Sequence, residues 1–149
     1  MSKLCGECGK REMIYKNING RSDFSWKDYP NIKIVVDLDL LVCSNCGNIG
    51  LISGDSEKLD NAIECSIKQQ CNNLITFITT KNKCEQKELA NHIGISPEHL
   101  SQIKTGRMIP SFTTFNFLKT IAMSDKGFKI SSPQLEIKLD YKVAMKTTY

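Results

Sequence analysis

The sequence predicts an α+β protein, a small strand-rich region followed by an all-helical one. Three observations carry that reading. Apolar residues recur every second position before about residue 55 and every third or fourth position after it. Four of the seven cysteines fall before residue 50 as two close pairs, and the other three are scattered. The charge divides at the same place: residues 1–60 hold eight lysines and arginines against nine acidic residues, net −1, and residues 61–149 hold twelve against seven, net +5. The overall +4 averages two unlike halves. The expected division is a cysteine-bearing domain over 1–55, a bridging helix over 56–80, a helical domain over 81–125 and a C-terminal extension over 126–149.

Composition narrows the class. At 40% hydrophobic and 24% charged the chain matches globular averages and excludes disordered or collagen-like classes. No run approaches the ~20 apolar residues of a membrane span, so no membrane role is expected. The N-terminus, Met1-Ser2-Lys3-Leu4-Cys5-Gly6, lacks the apolar stretch of a secretory signal. A cytoplasmic, reducing setting is therefore expected, with cysteines as thiols or metal ligands.

The elements follow in order. Residues 13–18, Asn19-Gly20 and residues 21–26 read as a β-hairpin, because Asn-Gly accepts the positive φ values of a type I′ turn. Pro30 bounds the next segment, in which Ile32, Ile34, Val36, Leu38, Leu40 and Val42 alternate onto one face. Leu59, Ile63, Ile67, Cys71, Leu74 and Ile78 then mark one face of a helix over about 56–79, which Asp55 or Ser56 can cap. Three shorter helices follow, and residues 135–141 alternate like a strand.

So few apolar groups in the first sixty residues call for a staple. Cys5-Gly6-Glu7-Cys8-Gly9 and Cys43-Ser44-Asn45-Cys46-Gly47 supply one. In each knuckle two thiolates converge as the turn folds back, and the glycine after the second cysteine permits the positive φ that aims backbone amides at sulfur. Four sulfurs satisfy one tetrahedral Zn²⁺ with no open position, so the site is structural. An iron–sulfur cluster can also use four cysteines, but symmetric knuckles on strands favour zinc. Two redox pairs would need a βαβ setting that the pattern lacks. Cys65, Cys71 and Cys84 are expected to pack as small hydrophobes.

Residues 86–106 have the spacing of a helix-turn-helix. Leu89, Ile93, Leu100 and Ile103 supply the contacts between two short helices, Ala90 permits close approach, and Gly94 fits the turn. Ser96-Pro97 starts the second helix with a capping hydroxyl and a pre-set φ, and Pro110-Ser111 starts a last helix carrying Phe112, Phe115, Leu118 and Ile121. A helical packing unit with no ligand is the plainer alternative. The +5 charge and the polar outward face of the second helix favour DNA.

Residues 86–118 resemble the Cro/repressor (Xre-type) helix-turn-helix family through Gln86, Leu89-Ala90, Gly94, Ser101, Gly106, Pro110-Ser111, Thr114 and Leu118. With the cysteine knuckles ahead of it, the order over about residues 4–122 is similar to the MqsA-type antitoxins, the YgiT-type zinc-finger group. The resemblance implies a zinc domain that docks a toxin and a dimeric helical domain that binds a palindromic operator and represses its own operon. It implies a recognition helix over 97–105, with Glu98, His99 and Gln102 facing the groove. Gln102 suits adenine, and Glu98 can accept from cytosine N4. Gln86, Lys104, Thr105 and Arg107 fall where phosphates should pass. His99 reads equally as a surface histidine without a partner, and His92 as a solvated helix residue. Lys104 departs from the glutamate common in the family, and the extension departs from its length.

The sequence thus points to a DNA-binding repressor and antitoxin, a homodimer holding one zinc. The alternative is a phage, plasmid or metabolic regulator whose zinc domain is structural or dimerising. A zinc or redox sensor is disfavoured by a closed four-sulfur site. An enzyme is not expected, since there is no open metal site and no phosphate loop, and the only histidines, His92 and His99, lie in the helix-turn-helix segment.

Overall fold

The computed structural model describes residues 3–124. The order is β1 (Met13–Asn17), β2 (Phe24–Trp26), β3 (Tyr29–Ile32), β4 (Asp39–Cys43), β5 (Ile49–Gly50), α1 (Asp55–Asn82), α2 (Gln86–Ile93), α3 (Pro97–Lys104) and α4 (Phe112–Met123). The expected extension over 126–149, with its strand-like 135–141, lies outside the described residues.

The strands form two small antiparallel sheets, β1-β4-β5 and β2-β3. β1 runs against β4 with Met13 opposite Cys43 and Asn17 opposite Asp39. This corrects the expected hairpin. Gly20 does take a positive φ of 95°, but the chain after it does not return along β1. Instead the Gly20 amide donates to the Ile34 carbonyl (2.8 Å) and the Ile18 amide to Leu38 (2.9 Å). Burial decides the pairing: Ile18, Ile34 and Leu40 are fully enclosed only when the 34–40 segment lies beside the first strand. The true two-residue hairpin is β2-β3, where Lys27 takes the left-handed φ of 51°.

The alternating run from Ile32 to Val42 is not one strand, since it breaks between β3 and β4. All six of its residues still join one apolar cluster. β4 is buried on both faces: Leu40 and Val42 enter that cluster, while Leu41 and Cys43 pack with Cys5 and Met13 in a second, smaller one.

The helix α1 begins one residue earlier than expected. Gly54, with φ 85°, is its N-cap, and Asp55 is the first helical residue. The Asp55 carboxylate is buried and turns back to accept the Ile52 amide (3.1 Å). Ile63, Ile67, Cys71 and Ile78 are buried as the periodicity predicts, with Leu59 and Leu74 at the margin. Cys65 departs from the expectation: it is exposed, because its position falls off the stripe. Lys83, at φ 49°, ends the helix by donating to the Thr79 and Thr80 carbonyls.

The remaining helices start and stop where the sequence signals place them. Gly94 (φ 88°) ends α2, the Ser96 hydroxyl accepts the His99 amide (3.1 Å) ahead of Pro97, and the Ser111 hydroxyl accepts the Thr114 amide (3.3 Å). Leu89, Ala90, Leu100, Ile103 and Leu118 are all fully buried.

One apolar cluster crosses the division between strands and helices. Ile18, Tyr29, Ile32, Ile34, Leu40 and Val42 share it with residues of α1, α2, α3 and α4. Polar bonds tie the same seam. The Tyr29 hydroxyl donates to the buried Pro110 carbonyl (2.7 Å), and its ring meets Phe112 and Phe115 edge-on at 5.4 and 5.5 Å. Asp28 accepts the first amide of α4, from Phe112 (2.8 Å). The buried Ser66 hydroxyl of α1 accepts the Val35 amide (3.1 Å).

Candidate functional site

The two knuckles repeat one backbone pattern. In the first, the Cys5 amide donates to Lys10 (2.9 Å) and the Gly9 amide to the Cys5 carbonyl (3.0 Å). In the second, Cys43 donates to Asn48 (2.8 Å) and Gly47 to Cys43 (2.8 Å). Gly9 and Gly47 take φ values of 71° and 76°, as the knuckle reading requires. The β1-β4 ladder then sets Met13 opposite Cys43, which draws the knuckles together.

The sulfurs of Cys5, Cys8, Cys43 and Cys46 all lie within 4.8 Å of one another. Cys5 and Cys46 approach to 3.6 Å, as do Cys8 and Cys43. A tetrahedral ion with metal–sulfur bonds near 2.3 Å needs sulfurs about 3.8 Å apart, so the four fit one such ion. Cys5 and Cys43 are buried, Cys8 is half-buried and Cys46 is exposed. With every ligand supplied by protein, such an ion is structural.

The local charges suit a cation. Backbone amides of Cys8 and then Glu7, with hydrogen bonds from Cys46 and Cys43, hold the Cys5 thiol down to about 6. The Lys10 amide, chiefly, lowers Cys8. Cys46 behaves oppositely: the Asn48 amide favours its thiolate, but partial desolvation and the neighbouring sulfurs of Cys5, Cys43 and Cys8 outweigh it and push the thiol up to about 12. Four negative sulfurs cannot coexist at this distance without a cation among them.

Side chains the sequence did not single out brace the centre. Arg21 donates to the Gly47 carbonyl (2.9 Å) while paired with Asp23, and Lys10 reaches Asn45 (2.9 Å) from one knuckle to the other. No periodic or spacing signal marks them.

The second group of predicted residues lies on α2 and α3. Leu100 and Ile103 turn inward, while Glu98 is exposed and His99 and Gln102 are part-exposed. Positions 98, 99 and 102 share the opposite side of α3. Lys104 ends the helix half-exposed, and its carbonyl accepts from Asn72 of α1 (2.9 Å). The Thr105 hydroxyl is already committed to the Ser101 carbonyl (3.0 Å). Arg107 is exposed in the turn that follows, and Gln86 is part-exposed at the start of α2. Gly106 (φ 77°) packs on the Lys68 stem, 3.6 Å from the position of a Cβ. His92 is not simply solvated: it is half-buried and stacks on Phe117 at 6.4 Å.

No protein-family profile matches the chain, and no curated protein matches it significantly.

Proposed function

We propose that the chain is a DNA-binding transcriptional repressor of the Xre helix-turn-helix type and an antitoxin of the MqsA type. In this reading α3 enters the major groove of a palindromic operator. A homodimer supplies the second half-site, since one such unit covers only half. The observation that carries the reading is α3 itself. Its apolar residues are fully buried and Glu98, His99 and Gln102 face outward, with Lys104, Thr105 and Arg107 beyond them and Gln86 on α2.

The metal is zinc, one per chain, held by Cys5, Cys8, Cys43 and Cys46. Four thiolates around Zn²⁺ take the first half from −1 to about −3. That charge disfavours DNA and leaves the surface to a basic protein partner. Exposed Leu4, Ile14, Tyr15, Leu51 and Ile52 in this region support such docking. The protein acts in the cytoplasm and catalyses nothing.

The shared core favours a second reading, in which the zinc region is purely structural. Co-purification with the product of a neighbouring toxin-like gene decides between them. Deleting residues 1–60 would strip Ile18, Tyr29, Ile34 and Leu40 from the core, so surface variants Tyr15→Ala and Leu51→Ser are the sound probes. Capture weakened by both supports the antitoxin, and no capture by the intact chain supports the structural regulator. DNA binding is tested by fluorescence anisotropy on the segment preceding the gene.

A further inference from the structure

A groove of about 660 Å³ opens between α1, β3 and α4, away from the sulfurs and from the outward side of α3. That volume lies within the ~300–1,000 Å³ range of small-molecule sites. Its walls are largely carbon. Ile32 and Ile67 are buried, Leu74 and Phe115 are half-buried, and Phe77 stands 52% exposed. Tyr29 also contributes only its ring, because its hydroxyl is spent on Pro110.

The rim is cationic. Lys33, just past β3, and Lys119, on α4, line the groove from different elements, and both are exposed. No Asp or Glu lines it, and among the described residues neither lysine forms an ion pair. The Asn73 amide adds a neutral polar group, while Gln70 is occupied by the Lys33 carbonyl (3.0 Å).

We propose that this groove binds an apolar-bodied organic carboxylate of fatty-acid size, with its chain along Ile67, Leu74 and Phe77 and its carboxylate held by Lys33 and Lys119. Carbon walls reward the chain by burial, and two cations without acidic partners select one anionic head. A polyanion would leave the carbon walls uncovered, and a neutral lipid would leave the lysines unused.

The test is calorimetric titration of the full chain with laurate, below its micellar range, and with dodecanol as the neutral counterpart. One laurate per chain is expected, bound more tightly than dodecanol. Lys33→Glu/Lys119→Glu lies at exposed positions and should keep its melting temperature. It should weaken laurate about tenfold or more and leave dodecanol unchanged. Leu74→Trp should weaken both ligands. Absence of laurate binding by the full chain overturns the proposal. So does equal affinity for laurate and dodecanol, or laurate binding indifferent to the charge reversals. Self-association that the charge reversals abolish, without laurate uptake, also overturns it and gives the groove to a second copy.

Discussion

Replacing Tyr29 by Phe tests how firmly the strands are joined to the helices. The substitution removes one oxygen. The ring contacts to Phe112 and Phe115, at 5.4 and 5.5 Å, are kept. What is lost is the 2.7 Å hydrogen bond to the buried Pro110 carbonyl, with Tyr29 itself only 2% exposed. No water reaches that acceptor in exchange, so the cost is that of a buried unsatisfied carbonyl, about 1–3 kcal/mol. At roughly 4 °C per kcal/mol for a chain of this size, the melting temperature should fall by about 4–12 °C. Two probes follow the two regions separately: Trp26, the only tryptophan, sits in β2, and circular dichroism at 222 nm reads the helices. Both should shift together, because Tyr29 belongs to one cluster with α1–α4. Transitions that separate, or a loss under about 0.3 kcal/mol, would show that the Tyr29 bond does not join the two regions.

Three further outcomes follow. Treatment with a mercurial should release one metal ion per chain as the four thiols of the centre react, with exposed Cys65 consuming reagent without releasing metal. It should lower the helical signal by no more than about a tenth, since the small cluster of Cys5, Met13, Leu41 and Cys43 is separate from the helical core; loss of most helicity would contradict this. Burial pushes the Cys71 thiol up to about 12. The folded state therefore holds that proton more tightly than the unfolded chain, and the stability it contributes is complete below about pH 9 and lost as pH rises toward 12. Urea midpoints should decline more steeply above pH 9 in the wild type than in Cys71→Ala, and iodoacetamide should label exposed Cys65 long before Cys71. Ser96→Ala should cost about 0.5–2 kcal/mol by removing the cap on the His99 amide, read as a fall in the urea midpoint.

The two knuckles were legible in the sequence because the geometry of each is local, whereas the β1-β4 ladder that brings them together was not. Each knuckle is closed within five residues, and the spacing and the following glycine are enough to specify it. The helices from Gln86 to Met123 were legible for the same reason, with Gly94, Ser96-Pro97 and Ser111 acting at the ends of the elements they bound. Long-range pairing was not. Asn19-Gly20 is a genuine turn signal, yet β1 finds its partner in β4, because enclosing Ile18, Ile34 and Leu40 outweighs a local ladder. Asp55 is a good capping residue by type, but the left-handed Gly54 takes the cap position and the Asp55 carboxylate closes the turn before the helix by accepting the Ile52 amide. The union of strands and helices was likewise hidden. The alternation from Ile32 to Val42 announces a buried face without naming what covers it, and nothing local links Tyr29 to Pro110, 81 residues away.

The proposed reading of DNA sequence by α3 is tested by anisotropy titrations with two variants. The DNA is the segment preceding the gene, compared with a scrambled duplex of equal length. Gln102→Ala should weaken the native duplex by about 1–3 kcal/mol and leave the scrambled one unchanged. Arg107→Ala should weaken both alike and reduce the salt slope by about 1. Equal losses on both duplexes from Gln102→Ala, or no preference of the wild type for the native segment, would contradict it.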